Sequence, residues 1–140
     1  MATGSRFAVA IHTLAVLGYL AKHGVEKASS NQIARSVNTN PVVIRNLLLI
    51  LKRAGLIRSK EGKGGGVSLA CSPEKIALRD VYTAVEDSSL LNLNPNDEFK
   101  LCPVSRSMKK ILPSIFNEID EAVLKTLQKR KLSDIIENVK

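Results

Sequence analysis

The chain has 140 residues, 44% of them hydrophobic, and a formal net charge of +8. That length predicts one domain with one real core, and that composition excludes global disorder. Aromatics are only 4% and tryptophan is absent, which points to a helix-rich core of Leu, Ile, Val and Ala.

The first element is the apolar stretch RFAVAIHTLAVLGYLA. It resembles a signal peptide only superficially. Its basic flank is the single Arg6, His12 and Thr13 interrupt the apolar run, and no cleavage site follows. It is also short for a membrane span. The reading is a buried helix from about Ser5 to His23, stopped at Gly24. Ser29 with Gln32 three residues on forms a capping box for a short second helix ending near Val37. The turn NTN follows. Asn40 is a good N-cap and Pro41 suits the first helical position, so a third helix runs to about Ala54–Gly55. Short helix, three-residue turn and longer helix have helix-turn-helix proportions.

On this third helix Ile44, Leu47, Leu48 and Leu51 share one face. Val42, Val43, Arg45 and Asn46 then face outward near its N-terminus. The same assignment leaves Leu49 exposed, which is awkward for a leucine. LIRSK and GVSLA read as two short strands around a glycine run, a hairpin. Pro73 breaks the chain, and Glu74–Asp87 reads as a fourth helix. SSLLNLNPNDEFK is a loop. From about Pro103 to Lys129 a wide apolar stripe includes Ile111, Ile115, Ile119, Val123 and Leu127. It needs a partner, either within the chain or on a second copy. Pro113 should kink this helix or mark its true start. A last short helix follows, with Ser133 as its N-cap. A domain boundary is expected after residue 72, with a DNA-binding domain at 1–72 and a helical dimerisation and sensing region at 73–140. The fold class is mainly α with a small β-hairpin.

Charge follows the same division. Residues 1–66 carry ten Lys/Arg and two acids, while 67–140 carry eleven of each sign, so the whole excess lies in the first half. A basic half joined to a neutral one suggests a polyanion partner. A nucleotide-phosphate loop is excluded by context. Such a loop follows a strand and opens a helix, whereas Gly64-Gly65-Gly66 runs into the strand-like VSLA. These glycines instead permit a tight turn with positive φ.

A helix-turn-helix followed by a hairpin is the winged-helix arrangement, whose second helix enters the major groove. Asn40, Val42, Val43, Arg45 and Asn46 are the candidate groove residues. Asn46 can pair with adenine, Arg45 with guanine or a phosphate, and the valines with thymine methyls. Arg6, Arg53, Arg58, Lys60 and Lys63, with Gly64 and Gly65 at the tip, are the candidate wing and phosphate contacts. No enzymatic constellation appears, because the sequence sets no evident Ser, Cys or Asp partner beside His12 or His23. The two cysteines, Cys71 and Cys102, have no zinc spacing, and a reducing cytoplasm is the expected compartment. Cys71 reads as a small packing residue. Cys102 lies at a helix start beside Arg106, Lys109 and Lys110, and reads either as an unreactive cysteine or as a thiol redox switch.

SRFAVAIHTLAVL, NQIARSVNTNPVVIRNLLLILKRAGLIRS, GKGGGVSLA and EKIALRDVYTAVE together resemble the Rrf-two family of bacterial transcription regulators. The resemblance covers residues 5–87 closely, is weaker over the long helix and returns at LSDII. It implies a cytoplasmic homodimer on a palindromic operator in double-stranded DNA, with the long helix as dimerisation element and no membrane association. Cluster-binding members hold an iron–sulfur cluster on three cysteines just after the AVE helix. This chain has only Cys102 there, so no cofactor is expected. Arg45 stands where some members have a base-reading Glu, which implies a different operator. Glu61 stands where relatives often place Arg, and a carboxylate is disfavoured in the electronegative minor groove. Lys60 or Lys63 then takes that role, or the wing touches only phosphate. The reading is a DNA-binding repressor. The alternatives are a repressor switched through Cys102, and a winged-helix module that binds RNA or a protein without an operator.

Overall fold

The computed structural model describes residues 5–87 and 89–140. Its elements are α1 (Ser5–Lys22), α2 (Ser30–Val37), α3 (Pro41–Arg53), β1 (Ile57–Lys60), β2 (Gly66–Leu69), a 3-10 turn (Pro73–Lys75), α4 (Leu78–Val85), α5 (Pro103–Gln128) and α6 (Leu132–Glu137). The chain forms two compact units, one of Met1–Asp87 with Leu127–Lys140 and one of Ser88–Thr126. The boundary expected after residue 72 does not follow these units. α4 and α6 both pack on α1, so the first unit draws on both ends of the chain.

The first unit is built around α1. Leu14 of α1, Ile33 of α2, Ile44 and Leu51 of α3, Val81 and Val85 of α4 and Leu132 of α6 are all fully buried in one cluster. Thr13, which interrupts the apolar run, is buried too, and its hydroxyl donates to the Val9 carbonyl at 2.8 Å. A buried polar group so satisfied costs little. Phe7 and Tyr82 join α1 to α4 edge to face, 5.2 Å between centroids. Gly18 lets α6 approach α1 closely, because a Cβ at that position would overlap Ile136 Cδ1.

β1 and β2 pair antiparallel, Ile57 opposite Leu69 and Lys60 opposite Gly66. A third piece joins them. Ala28, in the connection between α1 and α2, exchanges both backbone hydrogen bonds with Val67, at 3.0 and 2.8 Å. The tip needs its glycines for two different reasons. Gly64 and Gly66 have φ of +76° and +143°. Gly65 does not, but a Cβ there would run into the Lys60 carbonyl. Gly65→Ala is therefore expected to destabilise the hairpin by about 1–3 kcal/mol, as backbone clashes do. The check is faster amide exchange at Lys60 and Val67, with exchange in α1 unchanged.

Three local expectations are corrected. Glu74–Ala77 is not α-helical. Ile76 and Ala77 are extended and pair with the segment before α6, Leu132 N–H donating to Ile76 O at 2.9 Å and Leu78 N–H to Arg130 O at 2.9 Å. Ser133 is not the N-cap of α6. The helix begins at Leu132, and the Asp134 carboxylate accepts from the Lys131 N–H at 2.9 Å. Pro113 does not mark the start of α5, which runs from Pro103 through it to Gln128.

In the second unit a loop lies along α5. Leu90 N–H reaches the Asp120 carboxylate at 3.3 Å, and Phe99 N–H the Ser105 hydroxyl at 2.7 Å. α5 buries none of its residues. Val104, Ile111, Ile115 and Ile119 are exposed by 64, 48, 45 and 37%. Val123 and Leu127 are half-buried. Among the described residues, no helix is long and apolar enough to cross a membrane.

Candidate nucleic-acid interface

The helix pair is set by local chemistry. Ser29 Oγ accepts from Gln32 N–H at 3.1 Å, and the Gln32 side chain accepts from Ser29 N–H at 2.8 Å, which starts α2. Asn38 ends it in the left-handed conformation, φ 62°. Asn40 Oδ1 then accepts from Val42 N–H at 2.8 Å and Pro41 takes the first position of α3. Asn40 thus has its oxygen committed to the cap, which leaves its amide N–H groups as donors outward.

α3 buries Ile44, Leu47, Leu48 and Leu51 against the core. Val42, Arg45, Asn46, Leu49 and Arg53 are exposed and Val43 is half-buried. The outward line on one face is Val42, Asn46, Leu49 and Arg53, with Arg45 at its flank. On the hairpin Arg58, Lys60, Glu61, Lys63 and Gly64 are exposed and Gly65 is half-buried. The candidate base-reading and wing residues therefore all lie in the first unit, and apart from half-buried Arg6, Val43 and Gly65 they are exposed.

Arg6 behaves differently from the rest. Its Nη1 donates to the Val85 carbonyl at 2.8 Å, across the α1–α4 packing, and the residue is half-buried. Its guanidinium serves the fold at the end of α4, where it neutralises the negative end of the helix dipole. The structure also adds a residue that sequence reasoning missed. Lys27 Nζ reaches the Gly64 carbonyl at 3.4 Å, which links the strand at Ala28 to the wing tip. No local pattern marks it, because its partner lies 37 residues away.

The two thiols are free. Cys71 is exposed rather than packed, contrary to expectation. Cys102 is half-buried just before α5, its N–H donating to Phe99 O at 3.0 Å and its carbonyl accepting from Arg106 N–H at 3.1 Å. These residues do not fit an iron–sulfur cluster. Thiolate ligation takes several cysteines at fixed spacing, and the segment after α4 supplies one. Among the described residues, no three His, Cys, Asp or Glu side chains converge as a metal site.

Comparison with known proteins fits this geometry. The Rrf2 family model, described as an iron-dependent transcriptional regulator, matches residues 3–138. The chain is 37% identical over 138 residues to YwnA of Bacillus subtilis, covering 96% of this chain and 97% of that one. It is 31% identical over 131 residues to the HTH-type transcriptional regulator NsrR of Halalkalibacterium halodurans, covering 91% and 86%. In fold it is similar to CymR, the global cysteine regulator of B. subtilis, with a TM-score of 0.72 at 23% identity over 100% of this chain and 99% of that one.

Proposed function

The chain belongs to the Rrf2 family of transcriptional regulators, and from that premise we propose that it represses transcription as a cytoplasmic homodimer on a palindromic DNA operator. One observation carries the DNA reading. The exposed polar end of α3 and the exposed cations of the hairpin occupy the same unit that holds the whole charge excess. α3 lies in the major groove. Asn46 makes a bidentate contact with adenine, Arg45 with guanine O6/N7, and Val42 and Val43 meet thymine methyls. Asn40 donates to a phosphate at the groove edge. Arg53, Arg58, Lys60 and Lys63 add phosphate contacts, which raise affinity without reading sequence. Lys27 holds the tip, so that Gly64 and Gly65 bring backbone close to the strand. Glu61 keeps the wing out of the minor groove, and its flanking lysines bind the backbone.

The dimer rests on α5. A 26-residue helix that buries none of its side chains, yet carries Ile111, Ile115 and Ile119 in line, has an apolar face to cover. A second α5 covers it, with Val123 and Leu127 extending the seam. Two recognition helices then face half-sites about one DNA turn apart, which requires a palindrome.

The test compares binding to the DNA upstream of the protein's own operon with binding to random duplex at the same salt. The expected result is an affinity at least about a thousandfold higher for the specific site. Equal affinities sink the operator reading and favour a module that binds other partners. A finer outcome concerns the wing. Lys60→Ala and Lys63→Ala should each weaken binding evenly across sequences. Each should also flatten the slope of log K against log salt by about 1 per half-site. Titrations at four salt concentrations measure both effects.

A further inference from the structure

Leu49 is the most exposed apolar side chain on α3, ahead of Val42 at 48%. Leu47, Leu48 and Leu51 around it are 3, 8 and 0% exposed, whereas Leu49 is 55% exposed. One exposed leucine on a surface needs no explanation by itself. This one has a particular place. It lies seven residues after Val42, four after Arg45 and three after Asn46, within the outward line that continues to Arg53. Recognition helices that lie along the major groove, as in homeodomains, reach bases with side chains at offsets of about three, four and seven from the first. Val42, Arg45, Asn46 and Leu49 reproduce that spacing. The first three already have base-edge or phosphate chemistry. The fourth is a branched apolar group with no hydrogen-bonding capacity. In the major groove the one apolar feature of a base is the thymine C5-methyl.

We infer that Leu49 is a specificity-determining residue that packs on a thymine methyl, one helical turn beyond the base read by Asn46. The inference rests on the reading of α3 as the recognition helix. It extends that reading from the N-terminal turn of the helix to its middle. The physical reason is selective. A cytosine at the same place offers an amino donor against leucine, which would be desolvated without a partner. A thymine offers a methyl group, whose burial is favourable.

Removal of that single methyl tests it. Duplexes selected by the full-length protein from a random pool supply the site. Each thymine of a half-site is then replaced in turn by deoxyuridine, which differs only by the methyl. At the thymine under Leu49, distinct from any thymine met by Val42 or Val43, the wild-type protein should lose about fourfold in affinity, the worth of one buried methyl. Replacement in both half-sites should cost about fifteenfold, since the two losses multiply. Leu49→Ala should bind the thymine and deoxyuridine duplexes equally while keeping its melting temperature, because the side chain is exposed. A Leu49→Ala protein with the same deoxyuridine profile as wild type overturns the inference and leaves the operator reading standing. A wild-type profile with no sensitive thymine also overturns it. A wild-type protein that enriches no sequence sinks the operator reading, and this inference with it.

Discussion

Ile115→Glu combined with Ile119→Glu should convert the protein from dimer to monomer and weaken operator binding by about 100- to 10,000-fold. The argument starts from α5, which buries none of its residues and exposes both isoleucines. In a dimer seam these positions are apolar on both chains, so the double variant would bury four carboxylates without partners. Each such burial is costly enough that the seam opens instead. The monomer retains its fold, because no residue of α5 belongs to the core cluster of the first unit. The loss in DNA binding follows from valency. A dimer engages its second half-site at an effective concentration set by the tether, and that avidity is worth about 100- to 10,000-fold. Sedimentation at micromolar concentration reads the first effect and titration of the full palindrome the second. Affinity for a single half-site should change little. A double variant that still sediments as a dimer removes α5 as the seam.

The second large effect is expected at Arg45 and Asn46. Both are exposed on the first turns of α3, which its Asn40–Pro41 start holds in place. A good bidentate base contact discriminates by about 1–3 kcal/mol, and a homodimer makes each contact twice. Asn46→Ala should therefore cost about 2–6 kcal/mol on the full operator and almost nothing on random duplex, since Asn carries no charge. Arg45→Ala should lose a similar amount on the operator and also weaken random-duplex binding, because it removes a cation. Competition titrations with operator and random duplex, at one salt concentration, separate the two. Equal loss on both duplexes for Asn46→Ala rules it out as a base-reading residue.

Some departures from expectation have a common origin. Glu74–Ala77 has the composition of a helix start and the apolar spacing to match, yet Ile76 and Ala77 are extended. The Ile76 carbonyl accepts from Leu132 N–H and the neighbouring Leu78 N–H donates to the Arg130 carbonyl, each partner more than fifty residues on. Ala28 gives no strand signal because it contributes one residue to the hairpin. Arg6 reads as one more cation of a basic half, and only the nearby end of α4 gives its guanidinium a carbonyl. Pro113 has no N–H for the helix ladder, yet α5 continues through it. Cys71 follows a strand whose apolar alternation suggests packing, but the strand ends at Leu69 and Cys71 lies exposed beyond it.

What the sequence by itself determined is everything whose cause is local. The capping box at Ser29 and Gln32, the Asn40–Pro41 start, the glycines of the tip and the four-residue face of α3 each depend on residues within a turn or two. The concentration of positive charge in residues 1–66 is likewise legible without coordinates. The tertiary structure decided what depends on distant partners. It put Ile76 and Ala77 in an extended pairing, and gave Arg6 to α4 and Lys27 to the wing. A backbone hydrogen bond or a side-chain contact across thirty to eighty residues leaves no periodicity in the chain, because its geometry exists only once both segments have packed on α1.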